Sequence, residues 1–221
     1  MSAAFFLSIE FQETGYLVER IYKSAYGDAN GTSVIGGTAH TIKVPVVRFN
    51  EFLSDSQQIS KDVQVGVGNW TGQLEANKVA FTQDFVTRTR FTTAYPTTLT
   101  PAEFVDALFL KTSVAPSAAE RSAIIGEFGG SGSSADPVAR ARALRRVAEN
   151  ETLKELEKNK AFVLMQYFGY MRRDPDDPQD TDHTGYDFWL QKLNEHNGNF
   201  VSSEMVKAFI ISGEYRNRFG N

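Results

Sequence analysis

The chain opens and closes on one pattern: residues 4–11 read AFFLSIEF and residues 208–215 read AFIISGEY, sharing A-F-x-x-S-x-E-aromatic. A short amphipathic pattern that recurs at both ends points to reused helical units, because each unit buries its apolar face only against a neighbour of the same kind. The first copy reads as the tail of a module whose beginning is missing. A second echo joins EFVDAL at 103–108 to EMVKAF at 204–209. With 221 residues, 41% of them apolar, and 17 phenylalanines, the chain can bury an aromatic-rich core as one domain or as two modules sharing an interface. It has no cysteine, which excludes disulfides, thiolate zinc sites and cysteine nucleophiles together.

Helix start and stop signals divide the rest. Residues 4–25 carry Phe5, Ile9, Leu17, Ile21 and Tyr22 at helical spacing, interrupted by Gly15, which predicts one helix or two with a kink. Residues 27–47 are rich in Gly, Thr and β-branched side chains, with apolar and polar residues alternating over 41–44, which suits an excursion carrying a short hairpin. A short helix is expected over 48–58, then an irregular connector at 63–68. Asn69 caps a long helix from Trp70 to Tyr95, ended by Pro96. Thr100-Pro101-Ala102-Glu103 is a capping box that sets Phe104, Val105 and Leu108 toward a core, and Ser117 with Glu120 repeats the device.

Residues 129–134, GGSGSS, read as a flexible linker and a boundary. After Asp136-Pro137, one helix shows Val138, Ala141, Leu144 and Val147 on a face, and a second runs from Glu151 to Arg173 after a break at Asn150. Its part over 161–171 is apolar nearly all round, which predicts the central buried helix of the C-terminal half. A helix over 185–196 carries Phe188, Trp189 and Leu193. Ser202 caps a last one bearing Met205, Val206, Phe209 and Ile210. The expected fold class is therefore all-α: a mostly antiparallel multi-helix assembly of repeated small helical modules, with one or two irregular or short β-hairpin excursions. The expected division is an N-terminal helical region over 1–128, a truncated module's tail plus a spacer, and a C-terminal helical module over 135–221.

The most site-like segment is 174–183, where Asp174, Asp176, Asp177, Asp180, Asp182 and His183 fall within ten residues. Hard cations such as Ca2+ take several oxygens from a flexible loop, so these six residues are the candidate metal ligands. Asp180-x-Asp182-x-Thr184-Gly185 also matches the opening of an EF-hand loop, but its twelfth position is Gln191 instead of Glu. The alternative is a solvated, proline-stiffened loop whose acids favour the positive N-terminus of the next helix. His183 and His196 stand at opposite ends of that helix, roughly 18 Å apart at its rise per residue, too far for one mononuclear zinc centre.

The basic run Arg140, Arg142, Arg145 and Arg146 is followed by Glu149, Glu151, Glu155 and Glu157, which reads as a solvated, i,i+4-paired helix face. A net charge of -4 argues against a sequence-independent grip on nucleic acid. No apolar run is long enough to span a bilayer, no signal peptide is read at Met1, and no phosphate-cradling glycine loop, G-x-S-x-G elbow or H-E-x-x-H is present.

Three strings then come together: MRRDPDD at 171–177, GYDFWLQKL at 185–193 and MVKAFIISGEY at 205–215. They resemble the domain of unknown function 4214 family, whose small helical units carry an R-x-P-D-x-x-G-x-x-x-W-like core. Arg173, Pro175, Asp176, Gly185 and Trp189 supply that core here, with an acidic insertion over 177–182. The resemblance covers about 161–220, and 3–27 look like the end of a preceding module. It implies an exported, surface-associated bacterial protein whose partners are other domains of its parent or cell-surface components, and it supplies no catalytic residue. The leading functional expectation is a non-enzymatic structural or binding module stabilised by Ca2+ at the acidic loop. One alternative is a metal-dependent hydrolase of phosphoester type using that loop. Another is a carbohydrate-binding module using Trp70 and exposed tyrosines.

Overall fold

A computed structural model describes residues 9–220, so most of the N-terminal copy of the terminal repeat, 4–8, lies outside the described residues. The chain starts with two helices, α1 (Ile9–Glu13) and α2 (Gly15–Tyr26), broken at Thr14, whose φ of -118° and ψ of -82° leave the helical region. Gly27, at φ +78°, turns the chain out of α2 in a backbone conformation that costs glycine little. Strands β1 (Asp28–Ser33) and β2 (His40–Pro45) then pair antiparallel, with Asp28 opposite Pro45 and Ser33 opposite His40. This is the hairpin that the alternation at 41–44 predicts.

The remaining described elements are helical. They are α3 (Phe49–Ser60), α4 (Trp70–Phe85), α5 (Thr89–Ala94), α6 (Pro101–Thr112), α7 (Ala118–Ile125), α8 (Pro137–Ala148) and α9 (Glu151–Gln166), then α10 (Thr184–Glu195), α11 (Met205–Ile211) and α12 (Gly213–Phe219). The capping signals work as read. Thr100 and Ser117 each accept from the backbone N–H three residues on, while Glu103 and Glu120 reach back to the cap N–H, and Asn69, Asp136 and Asn150 cap α4, α8 and α9.

Three boundaries differ from expectation. The single helix predicted from Trp70 to Tyr95 is broken at 86–88, where the N–H groups of Thr87 and Arg88 turn to the carbonyls three residues back, those of Asp84 and Phe85, and Thr87 Oγ1 donates to Asp84 as well. The helix predicted to reach Arg173 ends as a widened π turn over Tyr167–Met171, closed by Arg172 at φ +54°. The last main helix starts from Glu204 instead of Ser202 and stops at Ser212, whose hydroxyl caps α12.

The core is one continuous cluster, and its hub is α2. Leu17, Val18, Ile21, Tyr22 and Ala25 are buried there, and so are Glu19, Arg20 and Lys23. The helix is enclosed by α3, α6, α8 and α9, which come from both sides of 129–134. Edge-to-face contacts extend the aromatic packing from Tyr22 through Phe85 and Phe91 to Phe104 and Phe128. Segment 129–134 is tied down at its end: Ser134 is fully buried and its N–H donates to the Leu99 carbonyl at 2.8 Å.

Arg140 corrects the reading of the basic run as a solvated face. It is buried, and its guanidinium donates to the carbonyls of Tyr95, Pro96 and Ser134. Arg142, Arg145 and Arg146 do pair with acids. Of these pairs, Arg145–Glu149 has the expected i,i+4 spacing, while Glu75 and Glu127 come from other helices.

Candidate functional site

The acidic loop is held by two arginines. Arg48, at the start of α3, places Nε 3.1 Å from Asp174, Nη1 2.7 Å from Asp176 and Nη2 3.5 Å from Asp177. Asp174 Oδ1 also accepts the Phe49 N–H at 2.9 Å, so this carboxylate serves the exposed donors of the α3 N-terminus. Burial raises the Asp174 pKa, opposed by the Phe49 N–H and by Arg48. Arg173, buried at the far side, bonds Asp180 at 2.6 Å and both carboxylate oxygens of Glu214 on α12. Despite burial, which pulls it down, hydrogen bonds and charge from Glu214 and Asp180 hold Arg173 above the usual guanidinium range.

Asp182 caps locally, accepting from the Thr184 N–H, a bond that depresses its pKa. Among the described residues no three of His, Asp or Glu gather in a group that could hold a metal ion. The six candidate ligands are spread over these separate partners, and the arrangement the geometry shows is a clamp fastening α3, the loop and α12 together.

His183 faces the hairpin. Its backbone N–H donates to the Thr32 carbonyl at 2.8 Å and its ring Nε2 lies 3.8 Å from Asp176, while burial lowers its pKa against the pull of Asp176. One turn on, Asp187 accepts the buried Ser33 hydroxyl at 2.7 Å and faces His40 at 3.8 Å. The Ser33 hydroxyl donates to this carboxylate, so the trio binds the hairpin to α10. Gly31 is where the two elements touch: a Cβ there would lie 2.7 Å from His183 Nδ1 and 2.9 Å from Val44 Cγ1. Gly31→Ala is expected to cost about 1–3 kcal/mol in urea unfolding by overpacking. Gly126→Ala, with nothing within 4 Å of its Cβ, is expected to stay near neutral.

His196 is exposed at the far end of α10, as its spacing from His183 predicts. Of the aromatics considered for sugar stacking, Trp70 is half-buried against the core, and Tyr16, Tyr22, Tyr95, Tyr167, Tyr170 and Tyr186 are buried.

A ligand-sized space lies beside the clamp. A cavity of about 430 Å³ opens between α3, the connector after it, the α1–α2 junction and the π turn. Its walls are mainly apolar, from Phe11, Phe49, Phe52, Leu53, Val65 and Leu74, with Met165 and Phe168 closing the α9 side. Phe168 packs 5.5 Å from Phe49 and 5.0 Å from Phe52 between ring centres, which fixes the α3 wall against the π turn.

Five polar residues stand among the apolar ones: Thr14, Ser56, Gln57, Ser60 and Arg172. Ser56 Oγ is buried and has no hydrogen-bond partner among the described residues. Arg172 is exposed at the rim with its guanidinium 5.5 Å above the Phe49 ring, and among the described residues it has no hydrogen bond or ion pair. The π turn makes this possible, since its widened backbone presents Gly169 to the cavity and its left-handed end sets Arg172 at the mouth.

The sequence reading missed the cavity, although Phe49, Phe52, Leu53 and Ser56 follow an i, i+3, i+4, i+7 face. That signal was available on the helix expected over 48–58, but nothing in it distinguishes a face packed on protein from one facing a void. Comparison of the chain with family models, with curated proteins and with solved structures found no match in any of the three.

Proposed function

We propose that the chain is a non-catalytic binding module whose cavity beside α3 receives an apolar ligand group. The cavity carries this reading: about 430 Å³ lies within the range of small-molecule sites, its walls are predominantly apolar, and a few polar groups converge on it. The clamp supports it from outside, because the carboxylates that resemble a metal loop here hold the cavity's α3 wall through Arg48 and Phe49. A module without its own chemistry is also what the resemblance to the domain of unknown function 4214 family implies. Reuse of one helix type fits as well. In the echoed strings Phe104 and Leu108 of α6 correspond to Met205 and Phe209 of α11, and all four are buried.

The test is titration with the uncharged fluorophore N-phenyl-1-naphthylamine, whose emission rises in an apolar site. The wild-type chain is expected to bind it saturably. Leu53→Trp, which fills the cavity from α3, is expected to weaken binding at least about tenfold, a loss of about 1.4 kcal/mol, with the melting temperature preserved. Absence of binding to the wild type, or equal binding to the filled variant, would defeat the reading.

A further inference from the structure

Building on the binding-module reading, we infer that the cavity's ligand is a single-chain amphiphile with an anionic head: the chain enters the apolar space and the head meets Arg172 at the rim. The argument is one of charge complementarity at one mouth. Arginine side chains elsewhere around this region are paired: Arg48 to Asp174, Asp176 and Asp177, and Arg173 to Asp180 and Glu214. Arg172 stands between them, and among the described residues its guanidinium has only the Phe49 ring beneath it.

Its position is built in two ways. The backbone takes φ +54° and ψ +40°, a region that non-glycine residues adopt at a cost, and the guanidinium lies over the ring that forms the cavity's edge. A planar guanidinium in that place offers paired donors to a carboxylate, sulfate or phosphate head. The unpartnered Ser56 hydroxyl on the wall supplies one further donor or acceptor. The pair describes a ligand that is apolar along its length and anionic at one end. A flat aromatic or a sugar would leave Arg172 unmatched or the Phe49, Phe52 and Leu53 wall facing polar atoms.

Calorimetric titration of the full chain with decanoate, decanol and decyltrimethylammonium, each kept below its aggregation concentration, tests this directly. The three share one tail and differ in head charge. The expected order of affinity is decanoate, then decanol, then decyltrimethylammonium, with the acid ahead of the cation by at least about fivefold. Arg172→Glu is expected to invert the acid and the cation, which a merely structural arginine would not do. Shortening the tail to octanoate should weaken binding by roughly fourfold per methylene removed.

Equal affinity for all three heads, or an order unmoved by Arg172→Glu, would overturn the amphiphile assignment while leaving the apolar-site reading intact. Failure of every tail to bind, together with failure of the neutral fluorophore, would remove both. Binding that appears only after Phe5, Phe6 and Leu7 are changed to Ala would make the chain's own start the occupant. An affinity that falls as protein concentration rises would make it a second copy. Either of these results also overturns the proposal.

Discussion

Arg140→Met is expected to lower the free energy of unfolding by about 3–5 kcal/mol, whereas Arg142→Met, two residues away on the same helix, should cost less than about 1 kcal/mol. The two arginines read identically in the sequence and do opposite work in the fold. Arg140 is 2% exposed, and its fork gathers the carbonyls of Tyr95 at 2.7 Å and Pro96 at 2.8 Å, the Ser134 carbonyl and the Ser134 hydroxyl at 3.1 Å. These acceptors end two separate segments, the corner after α5 and the stretch before α8, and Arg140 joins them. Burial lowers the Arg140 pKa, so the charge is tolerated because the carbonyl dipoles and the Phe104 ring 5.0 Å away surround it.

Methionine keeps much of the volume and strands the buried carbonyls of Tyr95 and Ser134, each at a cost of about 1–3 kcal/mol, while the part-buried Pro96 carbonyl loses less. The Tyr95 corner also carries a bond from the tyrosine hydroxyl to the Ala25 carbonyl at 2.6 Å, so loosening it is felt at the hub helix α2. Arg142 bonds Glu127 from a half-exposed position, where the pair is screened and its loss is small. Urea unfolding of the two variants decides the matter. Equal losses would mean that the Arg140 network adds nothing beyond an ordinary surface pair.

That contrast shows where the sequence is readable and where it is not. Helix starts are written locally, so Thr100 with Glu103, Ser117 with Glu120, Asp136 and Asn150 could be placed without a structure, and so could the hairpin at 41–44. The partner of a long charged side chain is not local. Arg48 lies more than 120 residues from the aspartates it holds, and Arg173 is separated from Glu214 by 41. A run of aspartates therefore looks the same whether its charge is met by a cation, by water or by arginines from elsewhere in the fold. The hub helix was hidden for a related reason. Glu19, Arg20 and Lys23 give α2 the appearance of an amphipathic surface helix, yet four neighbours enclose it, and Arg20 and Lys23 find their partners on other segments, at the Ala148 carbonyl, Asp28 and Glu157. The cavity depends on three segments far apart in the chain, so no single stretch could announce it.

The charges inside the hub lead to the second large effect: Glu19→Gln should stabilise the protein, increasingly so as the pH rises. Glu19 and Glu157 are both buried, and Oε2 of each has no hydrogen-bond partner among the described residues. Lys160 pairs with Glu157 at 3.0 Å, and Lys23 stands 2.6 Å from Asp28 and 3.7 Å from Glu157, so these lysines are directed at the other two acids. Burial, and then the negative charge of Glu157, push the Glu19 pKa well above the carboxylate range, against the pull of Arg20, Lys160 and Lys23.

In the unfolded chain Glu19 gives up its proton near pH 4.3, while in the folded chain it keeps it. Below that pH both states are protonated and the residue adds no pH dependence. Above it the unfolded state gains by ionising, and stability falls by about 1.4 kcal/mol per pH unit until the raised folded pKa is reached. Glutamine is neutral throughout and removes that loss. The variant should match the wild type near pH 4 and exceed it by a margin that widens through pH 6 to pH 8. Glu157→Gln should do the reverse, because it takes the acid away from the half-buried Lys160 and from the buried Lys23 beside it. Urea unfolding at pH 4, 6 and 8 measures the difference directly. A gap between Glu19→Gln and the wild type that stays constant across that range would show that Glu19 is ionised in the fold, and its raised pKa would have to be given up.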